Sequence, residues 1–230
     1  MTPALLADVM EATWPPLRRW SLGPFTLRDG GGGGKRVSAA SSLTGWTEAD
    51  LDALEAAGER LMLIRTTDHA LDASLAARGW RLVDPVVAYA APVAALMAKL
   101  PELAAFPHWP PLHITRAIWD EGGIGPARVQ VMERAEGQKT ALLARSGDRP
   151  AGTAFVALYG GEAMLHALEV LPGLRRRGVG ETLLRAAANW AAGVSAQRLS
   201  LVVTEQNTAA RALYARIGMQ VVGQYHYRMK

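Results

Sequence analysis

The sequence predicts a mixed α/β fold (α+β) in which helices flank a mixed, mostly antiparallel sheet. Three patterns indicate this class. First, two apolar segments at 140–145 and 152–158 flank a Gly-Asp turn, as in a hairpin. Second, an apolar strand at 163–170 leads through a glycine-rich turn into a helix. Third, an apolar strand at 199–203 leads to a capped helix. Tight turns give antiparallel neighbours, whereas strand–helix–strand units give parallel ones. Both kinds of connection in one chain therefore favour a mixed sheet.

The first part of the chain carries weaker signals of the same kind. Residues 36–42 are predicted to form a strand, and residues 47–58 a helix in which Asp50 completes a capping-box-like start. Residues 61–83 read as strand, capped helix, glycine stop and strand. The first half is therefore predicted to be a smaller α/β unit.

The glycine run at residues 30–34 superficially resembles a phosphate-binding loop because Lys35 follows it. That motif requires a glycine six positions before the lysine and a Ser or Thr after it, and these positions hold Asp29 and Arg36. We predict instead that the glycines form the tip of a hairpin between residues 25–29 and 35–40.

The two halves of the chain show a degraded internal repeat. When Gly79 is aligned with Gly218, Asp68 falls on Asn207, and both segments read strand, capped helix, glycine and strand. The alternative is that two unrelated helices share the same start and stop signals. The first copy has no basic glycine turn, so only the second half is predicted to hold a diphosphate.

The junction between the halves is predicted at the proline-rich residues 107–111, which we interpret as a linker. Residues 93–106 before it are predicted to be helical, with an interruption at Pro101. The predicted domains are therefore 1–106, a degenerate unit, and 112–230, a catalytic unit.

The second half is predicted to begin with a strand at 112–118. A helix at 126–135 follows, with Pro126 in its first turn. The hairpin comes next, and a Gly-Gly turn leads to the strand at 163–170. There is room for about one helix after the first strand.

Composition excludes several classes of site. The chain has 230 residues, half of them hydrophobic, a net charge of +4 and no cysteine. It can bury a substantial core, but it cannot form disulfides, thiolate metal sites or a Cys nucleophile. The five histidines lack helical metal-site spacing, so no metal is predicted.

Partners and location are predicted from what the sequence lacks. The longest apolar stretch, residues 86–97, is too short to span a bilayer and contains Pro92. No signal peptide and no platform of interleaved aromatic and basic residues are evident. We therefore expect a cytoplasmic protein, monomer or homodimer, that does not bind membrane or nucleic acid.

A basic glycine turn at the start of a helix is the strongest chemical signal. Residues 168–180 read Leu-Glu-Val-Leu-Pro-Gly-Leu-Arg-Arg-Arg-Gly-Val-Gly and lead into an apolar-periodic helix. The first N–H groups of a helix have no partner within it, and the helix dipole is positive there. Gly178 and Gly180 leave the backbone open to a ligand. This arrangement predicts a cradle for a diphosphate.

A second motif follows one helix and one strand later. Asn207 is a natural N-cap, Leu213 and Tyr214 lie on the apolar face of the predicted helix, and Gly218 ends it. Together, Arg-x-x-Gly-x-Gly and Asn-x-x-Ala-x-x-Leu-Tyr-x-x-x-Gly resemble the two signatures of the GNAT acetyltransferase superfamily. Met219 stands where the family usually has Phe. The resemblance covers residues 112–230 and implies the GNAT fold there.

The resemblance implies that acetyl-CoA is the co-substrate and that its acetyl group passes to a primary amine of a small molecule or peptide. The strand edge would hold the pantetheine arm and the turn the diphosphate. The predicted cofactor-binding residues are Leu168, Val170, Arg175, Arg176, Arg177, Gly178, Val179, Gly180 and Asn207.

Three residues are predicted as catalytic. The resemblance implies that Tyr214 is the general acid, although a packed core tyrosine has the same spacing. His166, which strand alternation places on the face of Val170, is similar to a base in arylalkylamine-acetylating members. Its alternative is a hydrogen-bonded core histidine. Glu169 is predicted on the opposite face, and an ordered water can replace a side-chain base.

An alternative function is a non-catalytic sensor or regulatory protein that binds coenzyme A without turnover. The acceptor is not encoded in any recognisable motif.

Overall fold

The computed structural model describes residues 1–42 and 45–230. The helices in this part are α1 (Pro3–Thr13), α2 (Lys35–Ser38), α3 (Glu48–Ala56), α4 (His69–Ala77), α5 (Val93–Leu96), α6 (His113–Glu121), α7 (Pro126–Arg134), α8 (Val179–Gly193) and α9 (Thr208–Arg216). The strands are β1 (Arg18–Leu22), β2 (Phe25–Asp29), β3 (Ala40–Ser42), β4 (Leu61–Arg65), β5 (Arg81–Pro92), β6 (Ala105–His108), β7 (Lys139–Ser146), β8 (Arg149–Tyr159), β9 (Glu162–Val170), β10 (Arg198–Thr204) and β11 (Gln220–Met229).

All of these strands join one sheet in the order β1-β2-β3-β4-β11-β5-β10-β9-β8-β7-β6. Among the described residues, the β3–β4 and β9–β10 pairs are parallel and the other neighbours are antiparallel. The mixed, mostly antiparallel sheet flanked by helices is therefore confirmed.

The two halves of the chain place corresponding elements on either side of the centre of the sheet. Aligned on Gly79 and Gly218, α4 coincides with α9, and β4 and β5 correspond to β10 and β11. The last strand of each half pairs with the other half: β5 lies beside β10, and β11 lies beside β4. This exchange means that the two halves share one sheet, and the predicted repeat remains a prediction. The limits 1–106 and 112–230 remain a prediction.

The glycine run does not form the predicted hairpin tip. Strand β2 pairs with β1 through a turn at Gly23, and the predicted strands at 35–40 and 36–42 reduce to helix α2 followed by the short strand β3. The glycines explain the difference, because Gly33 N–H donates to Gly30 O (3.0 Å) and Gly34 has a φ of +100°. The chain therefore turns into a helical turn that buries Val37.

The predictions around the junction are partly wrong. The predicted helix at 93–106 is only α5, followed by β6 near its end, and the predicted strand at 112–118 is helix α6. Ile118 and Trp119 of α6 are buried on one helix face. Strand β6 is the edge of the sheet, where Pro107 is tolerated because its neighbour β7 lies on one side only. Pro107 and His108 of the predicted linker thus belong to the sheet, and two helices follow β6 rather than one.

The sheet of the second half is covered on both faces. Helix α8 buries Leu183, Leu184 and a row of alanines against β7–β10. On the other face, Trp14, which directly follows α1, and Trp119 of α6 pack around Phe155. Each buried Leu or Phe contributes about 1.5–3 kcal/mol to folding. Helix α1, which the sequence analysis did not predict, is thus part of the core near the strand carrying the predicted site.

Residues 1–42 and 45–230 contain no helix long and apolar enough to cross a membrane. They also contain no group of three or more His, Cys, Asp or Glu side chains placed to hold a metal ion.

Candidate active site

A cleft opens where the parallel strands β9 and β10 separate. They are register partners only from Glu162↔Arg198 to Leu165↔Leu201, although β9 continues to Val170 and β10 to Thr204. On its other side β9 stays paired with β8, and β10 stays paired with β5. The cleft therefore exposes one edge of β9 within an otherwise continuous sheet.

One cavity, of about 540 Å³, lies between the end of β9, the glycine turn and helix α9. The predicted catalytic residues Tyr214 and Glu169 line it. All but one of the predicted cofactor-binding residues also line it, namely Leu168, Val170, Arg175, Arg176, Gly178, Val179, Gly180 and Asn207. Arg177 is exposed and lies outside this lining. The fold thus brings the two sequence motifs together around one space, which we call the donor cavity.

The start of helix α8 faces the donor cavity with its N–H groups uncapped. Gly178 is the N-cap, with a φ of +83° and no side-chain hydrogen bond to the helix start. A Cβ atom placed on Gly178 would meet no protein atom within 4 Å. The left-handed backbone therefore favours glycine here, and the space beside it is open to an anion.

The arginines of the turn have different surroundings. Arg175 Nε donates to the carbonyl of Val170 (3.0 Å), and its Nη2 lies 3.1 Å from Glu169 Oε1. Arg175 and Glu169 thus tie the turn to the end of β9. Arg176 has a φ of +64° and is exposed at the cavity wall. Its charge is available to an anion in the cavity.

Tyr214 is buried, with 6% of its surface exposed, and its ring lies 5.6 Å from that of Tyr89. The Tyr89 hydroxyl accepts from Arg211 Nε (3.3 Å). Burial, and then the neighbouring Tyr89, raise the pKa of Tyr214 to about 12. The phenol is therefore protonated at neutral pH and able to donate a proton into the donor cavity.

Asn207 caps helix α9 as predicted. Its side-chain oxygen accepts from the N–H of Ala210 (3.1 Å), which satisfies one of the free donors at the helix start. The cap fixes the beginning of the helix that carries Tyr214.

A β-bulge at Ala167 interrupts strand β9. Ala167 has a φ of +51°, and the pairing with β8 shifts between Thr153↔Glu169 and Phe155↔His166. Two residues of β9 thus stand opposite one residue of β8, which reverses the side-chain alternation beyond this point.

The bulge overturns the predicted facing of His166. Val170 packs with the apolar cluster around α8, whereas the His166 ring lies on the other face, 4.9 Å from that of Trp14. Glu169 packs beside Gly122 at the end of α6, so it shares the face of His166 rather than opposing it. Strand alternation fails here because it assumes that no extra residue is inserted.

Both ring nitrogens of His166 are engaged. Nδ1 lies 2.9 Å from Arg36 Nη1, which can only donate. Nε2 lies 2.9 Å from Thr13 Oγ1, whose own hydrogen goes to the carbonyl of Val9 (2.6 Å). Nδ1 is therefore an acceptor and Nε2 a donor, which defines a neutral ring. Burial, and then the charge of Arg36, hold the pKa of His166 well below its ordinary value.

We expect this buried histidine to destabilise the protein in acid. In the unfolded chain it binds a proton near pH 6.5, but in the folded protein only at much lower pH, so below pH 6.5 the unfolded state binds more protons. The free energy of unfolding should fall by up to about 1.4 kcal/mol per pH unit from this group. Urea denaturation between pH 7 and pH 5 measures the slope.

The matched variant for that measurement is His166→Gln, which should show a shallower slope. His108, whose pKa burial also lowers, contributes to both proteins and cancels in the comparison. Equal slopes in the two proteins would contradict a proton-linked role of His166 in stability.

A second cavity, of about 260 Å³, lies on the His166 side of β9. Its walls include His166 and Ala167 of β9, residues 202–204 of β10, Trp14, Arg36 and Tyr225. It therefore opens at the same strand separation as the donor cavity, but from the other face. We call it the acceptor cavity.

Several residues of the acceptor cavity were missed by sequence reasoning. Trp14 directly follows α1 and Arg36 lies in α2, both in the first half, whereas Tyr225 lies in β11 of the second half. They are far apart in sequence and carry no common motif. The only available signal was the glycine run before Arg36, and it was interpreted as a hairpin tip.

Known proteins resemble this chain in sequence and in fold. The sequence model of the acetyltransferase (GNAT) family matches residues 103–219, just over half of the chain. The chain is also 25% identical over 241 residues to the uncharacterized N-acetyltransferase YobR of Bacillus subtilis (strain 168), with 95% of each protein covered.

Two solved structures resemble the fold. A GCN5-related N-acetyltransferase from Kribbella flavida has a TM-score of 0.75 at 18% identity and covers 100% of this chain and 96% of its own. A tandem GNAT protein from the clavulanic acid biosynthesis pathway has a TM-score of 0.60 at 13% identity, covering 99% and 88%. Both likenesses extend over the two halves of the sheet. With the family match across β6 to α9, they lead to one conclusion: the chain belongs to the acetyltransferase (GNAT) family.

Proposed function

We propose that the protein transfers an acetyl group from acetyl-CoA to a primary amine. The observation that carries the proposal is the meeting of two cavities at one exposed strand edge. The donor cavity holds the uncapped helix start and Tyr214, and the acceptor cavity approaches the same strand from the other face. A thioester at the edge of β9 would thus be reached by an amine from the opposite side.

The residues of the donor cavity fit a diphosphate-bearing thioester. The N–H groups at the start of α8 and the charge of Arg176 suit the diphosphate, and the open backbone at Gly178 allows it to approach. The edge of β9 around Leu168 and Val170 lies beyond the pairing with β10 and suits the amide-bearing arm of coenzyme A. This arm can add to it as a strand does, in exchange for the contacts that Val170 makes with Arg175 and Glu169.

The reaction forms one bond and breaks another. The amine nitrogen attacks the thioester carbonyl carbon, a C–N bond forms, and the C–S bond breaks. We propose that Tyr214 gives its proton to the departing thiolate, since its phenol is protonated and lines the donor cavity. The amine must lose a proton on the other side.

The general base that takes this proton from the amine remains a prediction. His166 is neutral, but its Nδ1 already accepts from Arg36, so a base role requires Arg36 to move away. Glu169 is held by Arg175 and by the N–H of Val170. An ordered water in the acceptor cavity is the remaining candidate.

Titration calorimetry with acetyl-CoA, followed by a thiol-release assay with a panel of primary amines, tests the function. We expect binding in the micromolar range and thiol release that depends on the amine. Absence of heat with acetyl-CoA would refute the proposal. Binding without thiol release from any amine would favour the sensor function instead.

A further inference from the structure

We propose that the acceptor is an amine that also carries a carboxylate, and that Arg36 binds this carboxylate in the acceptor cavity. The inference rests on the proposed acetyl transfer and adds the chemical class of its acceptor. An amino acid, or a peptide with a nearby free carboxylate, belongs to this class.

Arg36 is partly buried, and no carboxylate of the described residues pairs with its charge. Its Nη1 is bonded to the neutral His166, and its Nε is buried without a hydrogen-bond partner. Its guanidinium also lies 5.7 Å from the ring centre of Trp14. Within residues 1–42 and 45–230, Arg36 forms no ion pair. A charge in this position is stabilised when an anion pairs with it.

The other charges at the cavity wall leave it positive. Lys35 is paired with Asp84 at 2.8 Å, so these two charges offset each other. Arg128 also lines the cavity, and the described part of the chain offers it no ion pair. With His166 neutral, the two unpaired arginines give the wall a net positive charge that attracts an anionic acceptor.

The fixed position of Arg36 determines where a bound carboxylate would lie relative to the edge of β9. Arg36 is hydrogen-bonded to His166, and His166 lies next to the bulge at which β9 turns towards Leu168 and the donor cavity. A carboxylate on Arg36 would therefore anchor one end of a small acceptor and leave its amine directed at the strand edge. A planar guanidinium is well suited to that task because it holds a planar carboxylate in a defined orientation.

Matched pairs of amines test the class of acceptor. Thiol release at saturating acetyl-CoA is measured with L-phenylalanine and phenethylamine, L-tyrosine and tyramine, and L-methionine and its decarboxylated amine. Because a charge-assisted hydrogen bond is lost without the carboxylate, we expect kcat/KM to be about 30-fold higher for the carboxylate member of an accepted pair.

Two substitutions assign that preference to Arg36. Arg36→Gln should raise KM for the carboxylate member about 30-fold and leave KM for its decarboxylated partner unchanged. Arg36→Lys should restore part of the preference because it keeps the charge. Arg18→Gln is the control: Arg18 is exposed, pairs with Asp29 outside the acceptor cavity, and should leave both members unchanged.

The outcomes separate this inference from the function on which it rests. Three results would overturn the inference: equal kcat/KM for both members of a pair, a higher kcat/KM for the decarboxylated amine, or no acetylation of any carboxylate-bearing amine. The proposed acetyl transfer would still be supported by acetyl-CoA binding and amine-dependent thiol release. A KM increase in Arg36→Gln that is equal for both members would also overturn the inference, since a merely structural role predicts that result. Absence of acetyl-CoA binding would refute both the proposed function and this inference.

Discussion

Replacement of Tyr214 by Phe should lower kcat by about 100- to 1000-fold and leave the dissociation constant of acetyl-CoA within about twofold of its original value. The substitution removes only the hydroxyl, so the ring still packs against Tyr89 and within the apolar cluster that contains Leu183 and Leu184 of α8. Without the phenol, the thiolate must leave without a proton donor. The chemical step is therefore slowed while binding is kept.

Single-turnover thiol release and calorimetry measure the two quantities separately. Tyr89→Phe is the matched control, because it removes the hydroxyl from the ring against which Tyr214 packs, and with it the bond to Arg211, but it removes no group that lines the donor cavity. Its kcat should fall less than about threefold. Equal losses in the two variants, or a Tyr214→Phe variant with unchanged kcat, would contradict the general-acid role.

The same experiment distinguishes the two functions that fit the donor cavity. A sensor that binds coenzyme A without turnover has no amine-dependent thiol release for Tyr214→Phe to remove. The raised pKa also predicts that this group causes no loss of activity between pH 7 and about pH 10, because a phenol with a pKa of about 12 stays protonated there.

The donor cavity was largely predictable because its signals are local. The N-cap at Asn207, the positive φ at Gly178 and the apolar face carrying Tyr214 each depend on a few neighbouring residues. Local rules decide such features whatever the tertiary context. The two motifs are also one helix and one strand apart, so their convergence follows from the order of the elements.

The acceptor cavity was not predictable because its features are non-local. The bulge at Ala167 places a non-glycine residue at positive φ, which no side-chain pattern announces. Arg36 reaches His166 across 130 residues of sequence. The exchange of β5 and β11 between the halves joins them in one sheet and brings the first half close to β9. Sequence alternation consequently assigned His166 to the wrong face and left Arg36 without a role.

The second large effect is expected at Gly178, where a carboxylate should weaken acetyl-CoA binding about 100-fold. Asp tolerates a left-handed backbone better than most residues, so Gly178→Asp should fold. Its carboxylate would lie at the uncapped start of α8 and compete for the same N–H donors. At about 4 Å and an intermediate dielectric, repulsion from a diphosphate charge costs on the order of 1–4 kcal/mol.

Two further variants separate charge from size and from backbone strain. Gly178→Asn adds nearly the same volume without the charge and should weaken binding about tenfold less than Gly178→Asp. Gly161→Asp carries the same strain, because Gly161 has a φ of +81° and also leaves an added Cβ without contacts, but it lies in the β8–β9 turn. It should bind acetyl-CoA normally in calorimetry. If Gly178→Asp bound acetyl-CoA as tightly as Gly161→Asp, the diphosphate would have to lie elsewhere, because no anion at this helix start could be indifferent to a fixed negative charge beside it.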